Sequence, residues 1–338
     1  MTPAHDTARS RASAIRLRQW IALITVDAMV KVLRAIGLVA LVSWSVAIPA
    51  RQSDPVSVAD GVYAFLETPG EVAPENAGRV GNGGFIIGPT GITVIDTGVS
   101  FQHGLARLEA IRALSDKPVE LVIITHAMQE FLFGNAAFSA VGATFLTHEK
   151  SAELMRQRCA HCLENLKLIL GEEVMAGSSL IVPTRLVRSS TTIVSGGRTL
   201  ELIHPGWAAT PGDLMVLDRA TGTLFAGGVI VDQRIPEIRD GRLPGWIAAV
   251  DLVRRLAPSI VVPGHGPLTT AVGAERTADY LRALDRRVRE IYEHGTSLLD
   301  AVDHAQLPAF AGWAGYPTIH RRNVLHHYLQ LEVEDLAR

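Results

Sequence analysis

The sequence predicts an α/β protein made of two strand-rich halves, each closed by helices and packed face to face. Three observations carry that prediction. Runs such as Val119 to Ile124, apolar but for Glu120, and Ile260 to Val262 read as strands covered on both faces. Two hairpin signals, Pro89-Thr90 and Arg219-Ala220-Thr221-Gly222, each stand between short β-type segments. Amphipathic stretches such as Trp246 to Leu256 intervene, so the chain reads as strand, helix, strand in each half.

In chain order, a polar linker around Arg51 to Pro55 precedes Gly61 to Leu66, read as the first strand. Gly84 to Gly88 and Gly91 to Asp96 flank the first hairpin, and Asp96-Thr97-Gly98 ends the second of these in a turn. Leu105 to Leu114 reads as a helix, and the apolar strand 119 to 124 then runs into Thr125-His126. The next helix carries Met155, Cys159, Cys162, Leu166 and Ile169 at three- and four-residue spacing, which puts both thiols on its apolar face. Short β-like segments around Ile181, Leu186 and Ile193 lead to Thr199 to His204. Leu214 to Asp218 and Thr223 to Gly227 flank the second hairpin, and strand 260 to 262 enters Pro263-Gly264-His265-Gly266-Pro267. The tail is helical, with Leu281, Leu284, Val288 and Ile291 forming one stripe.

At 338 residues, with 48% hydrophobic and 20% charged residues, the chain is long enough for a large core. A net charge of -2 and no Lys/Arg-dense body segment exclude a nucleic-acid partner. Arg16, Arg18, Lys31 and Arg34 precede the uncharged run Ala35 to Ala47, which has the form of a secretory signal with small residues at its exit. Counted from Met29, the segment has the length of such a signal. The expectation is an upstream extension over 1-28, a signal peptide over 29-50, and a periplasmic or secreted chain. Contact with a membrane comes only through this signal or, if it is not cleaved, an anchor. The run is shorter than the roughly 20 residues that span a bilayer. In an oxidising compartment Cys159 and Cys162 have only each other to pair with. They read either as two small core residues or as a redox or metal-binding C-x-x-C.

Ile95-Asp96-Thr97-Gly98, Thr125-His126, Gly134-Asn135, Thr210-Pro211-Gly212-Asp213, Phe225-Ala226-Gly227 and Pro263-Gly264-His265-Gly266 follow one another in an order that resembles the metallo-β-lactamase fold superfamily. Gly134 to Phe138, Arg234-Ile235-Pro236 and His320 to Val324 resemble its periplasmic branch, the quinoprotein relay system zinc metallohydrolases. The resemblance implies a four-layer αβ/βα sandwich over 55-275, a C-terminal helical extension over 276-338, and an active site at one edge between two sheets. It also implies a di-zinc ligand set, whose seven positions fall here on His126, Met128, Glu130, Phe131, Ala209, Gly228 and His265.

Only His126 and His265 keep the family's residue type, and Glu130 is a carboxylate one methylene longer. Hydrolytic zinc needs about three protein nitrogen, oxygen or sulfur ligands and a water. Phe131, Ala209 and Gly228 offer no donor, and the Met128 thioether is too soft for a hydrated zinc ion. The losses lie on three separate loops. The expectation is a degenerate metal site, no bound cofactor, and a cleft that takes a small-molecule ligand or a periplasmic protein partner. Asp96, His204 and Asp213 are candidate supporting residues, with Asp96 bracing the ligand loop.

The alternative is an active metal-dependent hydrolase of an ester, thioester or lactam-like bond. Its relocated mononuclear site would use His126, Glu130, His204 and His265, with His148, Asp213 and Asp232 as further donors and zinc as its cofactor. A copper site through Met128 and histidines is a variant of it. No Gly-x-Ser-x-Gly elbow supports nucleophilic catalysis. A thiol or redox role for Cys159 and Cys162 is a third reading, and acid-base work by His126 and His265 a fourth.

Overall fold

A computed structural model describes residues 54 to 337. The expected extension and signal segment, with Met29, therefore lie outside the described residues. Among these, no helix is long and apolar enough to cross a membrane.

The first sheet holds seven strands in chain order: β1 (Val56–Ala59), β2 (Val62–Phe65), β3 (Gly83–Ile87), β4 (Ile92–Ile95), β5 (Val119–Ile123), β6 (Thr144–His148) and β7 (Arg185–Val187). Strands β1 to β4 form an antiparallel meander, and β4 to β7 are parallel. The second sheet runs β12-β11-β10-β9-β8, built from β8 (Thr191–Ser195), β9 (Arg198–Ile203), β10 (Met215–Asp218), β11 (Thr223–Val231) and β12 (Ile260–His265). Only its β11-β12 pair is parallel.

The helices follow the strands as crossovers and caps: α1 (Phe101–Arg112), α2 (Gln129–Leu132), α3 (Asn135–Ser139), α4 (Glu149–Leu170), α5 (Glu172–Met175) and α6 (Leu243–Leu256). The tail is α7 (Glu275–Glu293), α8 (Leu298–His304) and α9 (Arg321–Leu336).

Three apolar cores separate four layers. Phe65, Phe85, Val94 and Val122 pack the outer face of the first sheet against α1, α3 and α4 through Leu108, Phe138 and Met155. Val62, Ile86, Ile95 and Ile123 point the other way and meet Leu200, Leu202, Val216 and Phe225 of the second sheet. Met215, Leu217, Leu224 and Val261 form the remaining face, covered by Trp246, Leu281, Leu284 and Tyr328 of α6, α7 and α9. The period of two along each strand is what supplies one core on either side, so strands buried on both faces read as unbroken apolar runs. The tail helices thus share one core with the second sheet.

Several elements differ from the expectation. Strand β1 precedes the segment read as the first strand, because Val56 to Ala59 is an edge whose mostly exposed residues give little apolar signal. Nothing around Ile181 is a strand; the segment packs as an irregular chain over the outer core. On α4, Cys159 is buried but Cys162 only half so, and Ile169 is exposed. The second thiol packs at the margin of the outer core, where it also lines a cleft.

Asn82 fastens the two halves together. Its Nδ2 donates to the carbonyls of Pro263 (3.0 Å) and Gly266 (2.8 Å), while its Oδ1 accepts from the Glu67 amide at 2.8 Å. The Leu214 amide donates to the Thr125 carbonyl at 2.8 Å. These bonds hold the loop after β5 against the loops of the second sheet.

Candidate functional site

Residue 126 follows β5 directly, and the loop there is set by Asp96 at the end of β4. Asp96 takes a left-handed backbone conformation (φ 57°), uncommon for a residue with a side chain. Its carboxylate accepts both the amide (2.9 Å) and the hydroxyl (2.7 Å) of Thr125. Because the one hydroxyl proton of Thr125 is given to Asp96, Oγ1 can only accept from His126 Nδ1, 2.8 Å away. An Asp-Thr-His chain therefore fixes His126 with Nδ1 protonated. Burial pushes Asp96 up to about 7 against its two Thr125 bonds, and pushes His126 down to about 4, so the imidazole is neutral at pH 7. Asp96 thus ties the end of β4 to the loop that carries His126.

His265 ends β12 and is buried. Its Nδ1 donates to the Val80 carbonyl at 2.7 Å, and its Nε2 lies 3.4 Å from Glu130 Oε1. Arg234 approaches the same oxygen at 3.8 Å, its Nε donating to the Gly70 carbonyl at 2.8 Å. Burial would raise the Glu130 carboxyl, but His265 and Arg234 outweigh it and draw the group down to about 2. Burial and Arg234 push His265 down, and Glu130 offsets them in part. Glu130 and Arg234 form a buried ion pair, and His265, tied to Val80 through Nδ1, packs against it.

Phe131 stands between these groups. Its ring is fully buried, with its centroid 4.5 Å from that of His126 and 5.3 Å from that of His265, the latter edge-on. Room for it comes from Gly81, where a Cβ would lie 2.8 Å from the ring. A Cβ at Gly228 would lie 2.8 Å from His126 Cδ2, 2.9 Å from its Nε2 and 3.3 Å from the Ala209 Cβ. Phe131, Ala209 and Gly228 thus meet around His126 as one packed set, while Met128 is half-buried and lines the neighbouring cleft. Among the described residues no three His, Cys, Asp or Glu side chains are grouped as a metal ion requires. The donor set therefore does not fit the hydrolytic zinc that the fold implies.

The remaining donors serve other ends. His204 does not join His126, Glu130 and His265. Its Nδ1 donates to the Asp213 carbonyl at 2.8 Å, and its ring stacks at 3.9 Å on His148. His148 caps α4, Nδ1 accepting the Lys150 amide at 3.2 Å. Asp213 closes its turn by accepting the Thr210 amide (2.8 Å) and hydroxyl (2.9 Å), and burial pushes its carboxyl up to about 7. Asp232 accepts from the Gln233 amide at 2.9 Å and faces Arg276 at 3.3 Å.

Beside the packed set opens a cleft of about 580 Å³. Ala127, Met128 and Glu130 form one side of it, with Cys162 and Ile169 from α4 and Val72 supplying further surface. Arg158, Arg239 and Arg322 also line it, at 50%, 51% and 46% side-chain exposure. The carboxylate of Asp240, which pairs with the first two, is only 9% exposed. Arg158 and Arg239 therefore reach the solvent ahead of Asp240, while Arg322 pairs with Glu71 at 3.2 Å and Glu237 also lines the wall.

Thr125, Arg234, Gly81 and the cleft arginines were not singled out as functional from sequence. Thr125 had a usable signal, a hydroxyl between a strand and a histidine. Arg158 and Arg239 had none, and Arg234 only its place in the Arg234-Ile235-Pro236 motif, because their roles depend on loops remote in sequence. The tail motif also resolves here. Asn323 Nδ2 donates to the Pro236 carbonyl at 2.7 Å and its Oδ1 accepts the Ile238 amide at 3.1 Å, so α9 pins the loop that carries Arg234.

No protein-family model matches the sequence. A linear primary-alkylsulfatase of Pseudomonas sp. (strain ATCC 19151) is 22% identical over 289 residues, which cover 72% of this chain and 53% of that protein. The chain thus spans about half the length of that curated relative. Two solved structures are similar in fold. A metallo-β-lactamase from Pontibacter korlensis gives a TM-score of 0.56 at 21% identity, covering 68% of this chain and 98% of that one. Another from Hirschia baltica gives 0.54 at 20% identity, with 67% and 96% covered. The two-sheet architecture and these likenesses together establish a metallo-β-lactamase sandwich fold.

Proposed function

We propose that this chain of metallo-β-lactamase fold is a cell-envelope protein, akin to the quinoprotein relay branch, in which a ligand-binding cleft has replaced the hydrolytic zinc centre. The single observation that carries this reading is the Phe131 ring packed against both remaining histidines. A hydrated ion needs open volume and several hard donors in one place. Here an apolar ring, a thioether, a methyl and a glycine hold the corresponding positions, and the nearest carboxylate is engaged by His265 and Arg234. Water activation by a metal is then not the work of the site.

The cleft beside it supports binding of an amphiphilic anion. Val72, Met128 and Ile169 offer apolar surface, and Arg158, Arg239 and Arg322 offer exposed guanidinium groups suited to carboxylate or sulfate. The likeness to an alkylsulfatase makes short-chain alkyl sulfates the first ligands to try.

The test is elemental analysis of the purified chain after dialysis, beside titration calorimetry with octyl sulfate. Metal far below one equivalent together with saturable binding supports the proposal. Near-stoichiometric zinc or iron that is lost in the His126→Ala/His265→Ala variant, with metal-dependent ester or sulfate-ester hydrolysis, overturns it in favour of an active hydrolase.

A further inference from the structure

We propose that Cys159 and Cys162 form a reactive dithiol that opens on the cleft and exchanges with small disulfides bearing carboxylates. This inference stands apart from the metal-free reading, since neither cysteine touches the histidine cluster.

Both cysteines are free thiols three residues apart in one continuous helix, α4. Helical geometry places their Cα atoms about 5 Å apart, inside the Cα span of a disulfide, and closing the bond draws their Cβ atoms in from about 5 to 6 Å by a local adjustment of the helix. Their environments are unequal. Cys159 is 1% exposed within the outer core, whereas Cys162 is half-buried and lines the cleft. The neighbouring Cys159 thiol, with help from Arg239 and Arg158, draws Cys162 down to about 7 against the effect of burial. Cys159 is pushed up by its neighbour and by burial. One thiol is thus an accessible nucleophile near neutral pH, and the other a shielded resolving group.

The exchange balances in two steps. The Cys162 thiolate attacks one sulfur of the small disulfide; a Cys162-sulfur bond forms, the small disulfide bond breaks, and a thiolate leaves and takes a proton from water. Cys159 then gives its proton to water and attacks Cys162 Sγ, forming the Cys159-Cys162 bond and expelling the second small thiolate, which is also protonated. Two protein thiols and one small disulfide become one protein disulfide and two small thiols. The cysteine pair is oxidised and the small disulfide reduced. Arg158 and Arg239, exposed at the same wall, favour a disulfide carrying negative charge.

The test uses the folded chain with two reagents, the dianionic dithiobis-nitrobenzoate and the neutral dithiodipyridine. The wild type is expected to release two equivalents of chromophore and end, by mass, as an intramolecular disulfide with no adduct. Cys159→Ser is expected to release one equivalent and keep the adduct on Cys162. Replacing Arg158 and Arg239 by Ala should slow the anionic reagent by about threefold or more relative to the neutral one. Thiols that react only after denaturation, or a wild type that keeps a stable adduct, overturn the dithiol. Equal slowing of both reagents overturns the preference for anionic disulfides. The wild-type result stands even if a variant folds poorly.

Discussion

The ring of Phe131 lies 4.5 Å from that of His126, at an interplanar angle of 51°, where the family pattern places two ligands of a metal centre. An aromatic ring packed on an imidazole is a core contact, and it changes what His126 is for. The histidine is held from behind by Thr125 and Asp96, and from the front by Phe131 and Gly228. It is a packed, neutral member of the core.

Phe131 should therefore behave as a core residue. Phe131→Ala is expected to cost about 3 to 5 kcal/mol, and Phe131→Leu distinctly less. Chemical unfolding followed by fluorescence or circular dichroism checks this. A near-neutral Phe131→Ala would mean that the ring does not fill the site in solution.

Gly228 and His126 are coupled by space. The Cβ added in Gly228→Ala meets His126 Cδ2 at 2.8 Å, and the change is expected to cost about 1 to 3 kcal/mol. Removing the imidazole should relieve that clash. The Gly228→Ala/His126→Ala pair is then less destabilised than the sum of the two single changes, by about 1 kcal/mol or more. Strict additivity would dissociate the glycine from the histidine.

A buried ionic cluster behind the site sets a pH dependence. His103 Nε2 donates to Glu67 Oε1 at 3.1 Å, and Arg107 lies 3.3 Å from the same oxygen. Burial opposes ionisation of Glu67, but the His103 bond and the Arg107 charge prevail and draw it from 4.5 to about 2. A carboxyl lowered on folding contributes stability above its unfolded pKa and loses it as pH falls, here between 4.5 and about 2. His103, driven down from 6.5 to about 4 chiefly by burial, contributes stability above 6.5 that is lost between those values. Glu67→Gln should lower stability at pH 7 by roughly 2 to 3 kcal/mol. The gap from wild type should close as pH drops below 4.5, as measured by unfolding midpoints across that range. A gap independent of pH would assign the loss to packing.

His148 gives α4 an acid-sensitive start. Its Nδ1 caps the helix and its ring stacks on His204, so protonation removes the cap acceptor and sets a charge beside another imidazole and the positive end of the helix. Burial first, and His204 next, hold His148 below its ordinary pKa of 6.5. Its contribution is present above that value and is lost as pH falls through the lowered one. His148→Asn keeps a capping acceptor and is expected to flatten this acid sensitivity, by about 1 kcal/mol at the acid end. Hydrogen exchange of the first-turn amides of α4 against pH is the readout. Unchanged exchange would remove the switch.

Much of the fold was legible in the sequence, because each strand buried on two faces is a continuous apolar run and each turn is marked by its own residues. Leu121 to Ile124 shows this well. The edge strand β1 was not legible, since exposed residues carry little pattern. Of the site, Asp96, His126 and His265 were legible as strand-end residues, and the lost donors at Met128, Phe131, Ala209 and Gly228 were legible against the family pattern. The contacts made around those positions were not. Arg234 reaches Glu130 from 104 positions away in the chain, and nothing in either local sequence encodes the meeting.

The sequence alone determined two strand-rich halves closed by helices, because periodicity is a local property, and the family resemblance supplied the sandwich and the positions at which donors were sought. The tertiary structure decided that Phe131 and His126 touch and that Gly228 is where a side chain would strike the imidazole. It also decided that His204 turns to His148, and that Cys162 faces a cleft lined with arginines while Cys159 stays in the core. Each of these is a contact between segments whose distance depends on how layers pack, and packing is a property of the whole chain.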